Sequence, residues 1–398
     1  MYLSQRVRQL APSPTLAIDA KAKQMAAQGI DVVNYGVGEP DFDTPQHIKD
    51  AGIKAIQSGF TKYTAAAGIP DLRKAIADKL KRENGLDYSP DQIVVSVGGK
   101  GGLYNAFLAV CDVGDEVILQ APYWVSYPEI VKLAGGVPVI IETTEKDGFK
   151  MTPEVIKAKL TPRTRIINLN SPSNPTGAVY SRKELEAIAE IAVKHDLYVV
   201  SDEIYEKMVY DGEEHVSIAS FGPEIKKLTV LCNGASKAYA MTGWRLGYVA
   251  AEPEITKAIT GLQGHQTTNV PSMVQKAGVA AFSTDSDASI KTMVAEFDKR
   301  RKFMTKRCND MPGWYCPEPK GAFYCFPNVS GLFGKTIRGR KVENADTLAE
   351  IILAEAHVAL VSGSGFGAPN NVRLSYATSM ERIETGMDRI EALLKEAK

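Results

Sequence analysis

The chain is 398 residues long, with 47 Lys+Arg against 47 Asp+Glu, a formal net charge of zero and 44% hydrophobic residues. That balance excludes a disordered chain, and it offers no whole-molecule field to nucleic acid or an anionic membrane, so any anion site must be local. At ~150 residues per domain the length suggests two or three domains, each able to bury a core.

In chain order, the residues from Met1 carry no long apolar stretch of the signal-peptide kind, and no run reaches the ~18 uncharged apolar residues of a membrane span. A cytoplasmic protein is expected. After Ile30 the N-terminal segment turns rich in Pro and Gly and is suited to covering a site. Between about residues 93 and 250, short β-branched runs alternate with helical patterns, the rhythm of an α/β sheet. The strand-like runs are Ile93 to Val97, Glu116 to Leu119, Val137 to Ile141, Arg165 to Leu169, Leu197 to Val200, Thr229 to Cys232 and Leu246 to Ala250. Helices are expected from Lys100, near Ser126, and most clearly over Arg182 to His195. From about residue 285 the pattern changes to charged helices, Asp298 to Arg307 and Glu381 to Lys398, around the strand-like Ala322 to Pro327 and Val372 to Tyr376. The expected division is a large unit over 48–284 and a smaller one built from 1–47 and 285–398.

Five cysteines at 111, 232, 308, 316 and 325 lack a C-x-x-C pair, which supports neither a disulfide framework nor a zinc site; they read as buried, reduced thiols. His47, His195, His215, His265 and His357 show no metal-ligand spacing and read as structural or surface residues, with His265 placed near a site entrance. No metal is expected.

Gly98-Gly99-Lys100-Gly101-Gly102 follows a strand and opens a helix, where backbone N–H groups and the helix dipole suit a phosphate. It is not a triphosphatase loop, since Val94 and Gly101 stand where that motif needs Gly and Ser/Thr. A purely structural glycine turn fits equally well. Asn168 to Gly177 is a polar loop stiffened by prolines, or a plain surface loop. Asp202, in Ser201-Asp202-Glu203-Ile204-Tyr205, ends a buried strand, where ligands of open α/β sheets bind; a helix cap is the simpler reading. Lys237 lies among Ala, Ser and Gly, a setting suited to covalent chemistry with a carbonyl, although solvated lysines are commoner. Arg373, on an alternating strand, has the fork geometry for a carboxylate, or for a surface ion pair.

Taken in order, Asn174-Pro-Thr-Gly, Asp202-Glu-Ile-Tyr205, Ser236-Lys237 with Arg245, and Asn371-Val-Arg373 resemble the class I aminotransferases, fold-type I enzymes that use pyridoxal 5′-phosphate. Gly36-Val-Gly-Glu-Pro-Asp-Phe, Tyr63 in its Lys-Tyr-Thr-Ala-Ala-Ala-Gly context and Pro122-Tyr-Trp-Val-Ser-Tyr127 extend the likeness across nearly the whole chain, toward the bacterial and plastid aspartate aminotransferase subgroup. The resemblance implies a mostly parallel seven-stranded sheet in a large domain beside a smaller α/β domain. It implies that Lys237 holds the cofactor aldehyde covalently and then moves the proton at the substrate Cα. Asp202 would keep the cofactor ring nitrogen protonated, Asn174 and Tyr205 would bond its phenolic oxygen, and Trp124 would stack on the ring.

By the same resemblance the phosphate is held by Gly99, Lys100, Ser236 and Arg245, with Tyr63 reaching in from a second subunit of a homodimer. Arg373, Asn174, Trp124 and Gly38 would hold the substrate, the N-terminal segment serving as a lid. An arginine for a distal substrate carboxylate has no match in Gly264-His-Gln-Thr-Thr-Asn-Val270. Lys100, Ser13 and Thr15 match the lysine and hydroxyls that the bacterial subgroup uses instead. The expected substrates are aspartate or glutamate with oxaloacetate or 2-oxoglutarate, and prephenate as a further acceptor giving arogenate. The alternatives are an aromatic or branched-chain aminotransferase, then a lyase on the same fold. Last comes a non-enzymatic cofactor-binding regulatory module, which would need a basic DNA-binding extension ahead of residue 1.

Overall fold

A computed structural model describes residues 2–398. Seven strands form the main sheet: β1 (Ile93–Val97), β2 (Glu116–Ala121), β3 (Val137–Glu142), β4 (Thr164–Asn170), β5 (Tyr198–Asp202), β6 (Thr229–Gly234) and β7 (Leu246–Ala250). Their order is β1-β7-β6-β5-β4-β2-β3; β7 runs antiparallel to both neighbours and the remaining pairs are parallel. The central strands read as near-continuous apolar runs because helices cover both faces. Ile166, Ile167, Val199, Val200, Val230 and Leu231 are all fully buried, and each such side chain contributes about 1.5–3 kcal/mol relative to exposure.

The expected runs are all present and most are extended by one or two residues, although β5 begins at Tyr198 rather than Leu197. The parallel strands β4, β5 and β6 end at Asn170, Asp202 and Gly234, which lie on one edge of the sheet. The helix expected from Lys100 starts at Gly98. Arg182–His195 begins with a reciprocal cap between Ser181 and Glu184.

The chain after residue 285 builds a second apolar core. The long helix Asp287–Asp310 and the terminal helix Met380–Leu394 pack around a three-stranded antiparallel sheet of Val361–Ser362, Val372–Ser375 and Tyr324–Cys325. The N-terminal segment joins it through Val33–Asn34, which pairs in parallel with Val358–Ala359. Ahead of that pairing the segment forms the helix Pro14–Ala27, capped by the Ser13 hydroxyl. All five cysteines are buried and free, and the sulfurs of Cys308, Cys316 and Cys325 lie within 4.8 Å of one another inside the second core. Among the described residues, no helix is long and apolar enough to cross a membrane.

Candidate active site

The carboxyl edge of the parallel strands opens into a cavity of about 450 Å³, the place where open α/β sheets bind ligands. Ser13, Thr15, Gly38, Gly99, Lys100 and Trp124 line it, as do Asn174, Asp202, Tyr205, Ser236, Lys237, Arg245 and Arg373. These are all the residues that the resemblance assigns to cofactor or substrate except Tyr63. Tyr63 is 88% exposed and lines a separate groove with Thr267 and Asn269.

Lys237 lies in the loop after β6. That loop is closed by Met241 N–H to the Ser236 carbonyl at 3.2 Å and by Ala235 N–H to the Leu246 carbonyl at 3.0 Å. The Lys237 ammonium donates to the Gly38 carbonyl at 2.5 Å. Desolvation, aided by the positive charges of Arg373 and Arg245 and opposed by Glu39, lowers its pKa to about 8. A lysine so tuned has an appreciable neutral, nucleophilic fraction near neutral pH.

Asp202 is buried at the end of β5. Its Oδ2 accepts from the Tyr127 hydroxyl at 2.7 Å and its Oδ1 from the Ile204 N–H at 3.2 Å. Burial raises its pKa to about 6 against the opposing pull of these donors, so it is mostly ionised at neutral pH and favours a cationic partner. Asn170 ties the next wall in place: its side-chain oxygen accepts the Asn174 N–H at 2.9 Å and its amide donates to the Asp202 carbonyl at 3.1 Å.

A set of donors suited to an anion occupies another wall. Gly98 stands at φ +69° directly after β1, and the N–H groups of Gly99 and Lys100 fall in the first helical turn, where they have no intrahelical acceptor. The Ser236 hydroxyl and the Arg245 guanidinium line the same cavity. Arg245 itself has φ +57°, a costly conformation for a residue with a Cβ. It is held by Gly98 N–H to the Arg245 carbonyl at 2.8 Å and by its own Nη1 to the Thr242 carbonyl at 2.8 Å. The space is reserved for it, because a Cβ on Gly98 would lie 2.5 Å from Arg245 Nη2.

Arg373 is buried. Its Nη1 donates to Asn174 Oδ1 at 2.9 Å and its Nη2 to the Gly36 carbonyl at 2.8 Å, while Nε has no partner. The Tyr324 ring centroid lies 4.5 Å from its Cζ, and the Tyr324 hydroxyl bonds that of Tyr205 at 2.7 Å. Gly38 must be a glycine here, since a Cβ would meet the Tyr324 hydroxyl at 2.4 Å. A buried guanidinium with an orphaned donor matches a carboxylate ligand.

At the mouth, Lys100 Nζ sits 4.7 Å from the Trp124 ring centroid, with Ser13 and Thr15 also on the cavity wall. Partial burial and the nearby Arg245 charge lower the Lys100 pKa from its ordinary value. Tyr127, Asn170, Tyr324, Glu39 and Thr242 shape the cavity without having been assigned roles from the sequence. Glu39, Tyr127 and Asn170 sat in quoted motifs, whereas Thr242 and Tyr324 did not. His265, expected near the entrance, is exposed and does not line the cavity; the Phe366 ring lies 5.0 Å from the Arg373 Cζ.

An α/β fold with a lysine, a buried carboxylate, an anion cradle and a buried arginine around one cavity defines an enzyme class, and the chain belongs to it: the aminotransferase class I and II family model matches residues 30–390. Within the family, the chain is 49% identical over 395 residues to an aspartate aminotransferase of Geobacillus stearothermophilus, covering 99% of each protein. It is 45% identical to an aspartate/prephenate aminotransferase of Cereibacter sphaeroides, covering 98% of each. The solved aspartate aminotransferase of Rhizobium meliloti superposes with a TM-score of 0.96 at 41% identity, over 100% of both chains.

Proposed function

We propose that the chain is a pyridoxal 5′-phosphate-dependent aminotransferase of the cytoplasm. It moves the amino group of L-aspartate or L-glutamate to 2-oxoglutarate or oxaloacetate, and also to prephenate, giving L-arogenate. The observation that carries the reading is the convergence of Lys237, Asp202 and Arg373 on one cavity whose far wall is an anion cradle. The residues fit the cofactor: Gly99, Lys100, Ser236 and Arg245 for its phosphate, Asp202 for its ring nitrogen, Asn174 and Tyr205 for its phenolic oxygen, and Trp124 for its ring face. When bound, the cofactor supplies a carbonyl for the amine and an electron-poor ring that stabilises a Cα carbanion.

The remaining work falls to side chains of this chain. Lys237, with its pKa lowered to about 8, is the amine that would hold the cofactor's carbonyl and the base that would carry a proton to and from the substrate Cα. Asp202 holds a proton on the ring nitrogen by offering a buried negative charge, and Tyr127 holds Asp202 in place. Arg373 grips the α-carboxylate. Because Asn174 and Gly36 already fix the guanidinium, little ordering entropy is lost when the substrate docks.

Lys100, with Ser13 and Thr15, reads the distal carboxylate. An ammonium with hydroxyls accommodates dicarboxylates of differing shape better than a rigid guanidinium fork would, which favours prephenate as a second acceptor. The names of the relatives, aspartate and aspartate/prephenate aminotransferases, support the same choice. We assign the large unit to residues 48–284 and the smaller to 1–47 with 285–398, and place Tyr63 of one chain at the phosphate of the other in a homodimer.

The test is a substrate profile of the cofactor-loaded protein. L-Aspartate with 2-oxoglutarate yields oxaloacetate and glutamate, and prephenate yields arogenate. Transfer from tyrosine or leucine but not aspartate overturns the donor assignment, and release of pyruvate and ammonia without an acceptor marks a lyase.

A further inference from the structure

Glu206 directly follows the Asp202–Tyr205 segment and is buried. Facing it is Lys79, whose side chain is 0% exposed, on the core side of helix Pro70–Asn84 between the buried Ile76 and Leu80. Lys79 Nζ donates to Glu206 Oε1 and, at 3.1 Å, to Asn84 Oδ1. Asn233 Nδ2 donates to the same Glu206 oxygen at 2.8 Å, and Asn84 Nδ2 to Oε2 at 3.1 Å. Asn233 belongs to β6, and its own Oδ1 accepts the Gly234 N–H at 2.7 Å, just ahead of Ser236 and Lys237.

One carboxylate therefore joins two segments that are far apart in sequence. The first carries Asp202 and Tyr205 out of β5; the second carries Ser236 and Lys237 out of β6. A buried ion pair contributes little net stability against packed apolar residues, because desolvation offsets the attraction. What it does supply is a fixed geometry, with Glu206 held by Lys79, Asn84 and Asn233 together.

We propose that Lys79 and Glu206 are positioning residues for the transamination reaction: they set the spacing of Asp202 and Tyr205 against Ser236 and Lys237, and so the tilt of the cofactor ring over the reacting amine. The proposal rests on the functional reading above. Neither residue touches the cavity, so the pair acts only through the two segments it joins.

The experiment compares wild-type protein with Glu206→Gln and with the charge-free pair Lys79→Met/Glu206→Gln, which strands no buried charge. Each is loaded with pyridoxal 5′-phosphate and reacted with L-aspartate. Both variants are expected to fold and bind the cofactor. The maximal rate of the half-reaction falls about 10- to 100-fold, as expected for small misplacements of reacting groups, with the KM for aspartate staying within about threefold. The visible circular dichroism of the bound cofactor, normalised to its absorbance, falls in parallel, which a purely stabilising role would not produce.

If the charge-free pair keeps wild-type rate and dichroism and only its thermal unfolding shifts, the pair is structural and the proposal is overturned. Failure of both variants to fold overturns it as well, making the pair a folding element. A wild-type protein that binds the cofactor without reacting with aspartate refutes the functional reading alone, and the dichroism comparison still decides the role of the pair.

Discussion

Lys237 is destabilising where it is useful. Its pKa falls from 10.5 to about 8 in the folded chain, so folding disfavours its charged form by roughly 3 kcal/mol at neutral pH. Because the folded value lies below the unfolded one, that penalty is complete below about pH 8 and fades as pH rises toward 10.5. Cofactor-free Lys237→Met should therefore unfold at a higher temperature than wild type at pH 7, the difference shrinking by pH 10 in thermal melts, while transamination is abolished. Lys100→Ala tests the distal wall. Losing one charge-assisted contact should cost about 1.5–3 kcal/mol in kcat/KM for aspartate and glutamate while sparing alanine; equal slowing of aspartate and alanine would sink the role. Lys237, Asp202 and Arg373 stood out through the order of their motifs, since singly a solvated lysine, a helix cap and a surface ion pair were competing readings, and the structure gathers the three on one cavity. Tyr127, Tyr324 and Glu206 did not stand out, since their significance lies in contacts across 75, 119 and 127 residues that no local pattern encodes.

Among the elements, the strands were readable because parallel strands buried on both faces leave unbroken β-branched runs. Their last residues were less so, and Asp202 illustrates why: a strand that ends on a cavity wall finishes on a residue that strand propensity disfavours. The antiparallel direction of β7 was equally hidden, because it is set by the Lys237–Arg245 loop rather than by the strand's own residues. Gly247 in β7 shows what that crossing demands. A Cβ there would lie 2.3 Å from the Gly98 carbonyl carbon and 2.4 Å from the Gly99 nitrogen, backbone atoms that cannot swing aside. Gly247→Ala should cost about 1–3 kcal/mol or more of stability and, by pushing away the first turn of the helix that starts at Gly98, should raise the dissociation constant for pyridoxal 5′-phosphate measured by equilibrium titration. Wild-type affinity in a well-folded Gly247→Ala protein would detach this helix from phosphate binding.

For the molecule as a whole, the cavity of a single chain gathers every expected residue but Tyr63, an aromatic ring left 88% exposed. A second copy that buries it would complete the phosphate cradle by two-fold symmetry. Mixing and refolding Tyr63→Ala with Lys237→Ala should then restore activity, because the hybrid dimer holds one site with an intact Lys237 and a donated Tyr63; no gain over the separate variants would mean that each site is complete within its own chain. The second core was legible as a change to charged helices near residue 285 around two strand-like runs, but Val361–Ser362 and the pairing were not, since the strands are two to four residues long and acquire their pairing from one another. The central claim, that the cavity carries an amino group between two acids, is tested most directly with cofactor-loaded protein and no acceptor. L-Aspartate should bleach the visible band as the cofactor takes up the amino group, and 2-oxoglutarate or prephenate should then restore it; a band that aspartate leaves unchanged, while tyrosine or leucine bleaches it, would contradict the account.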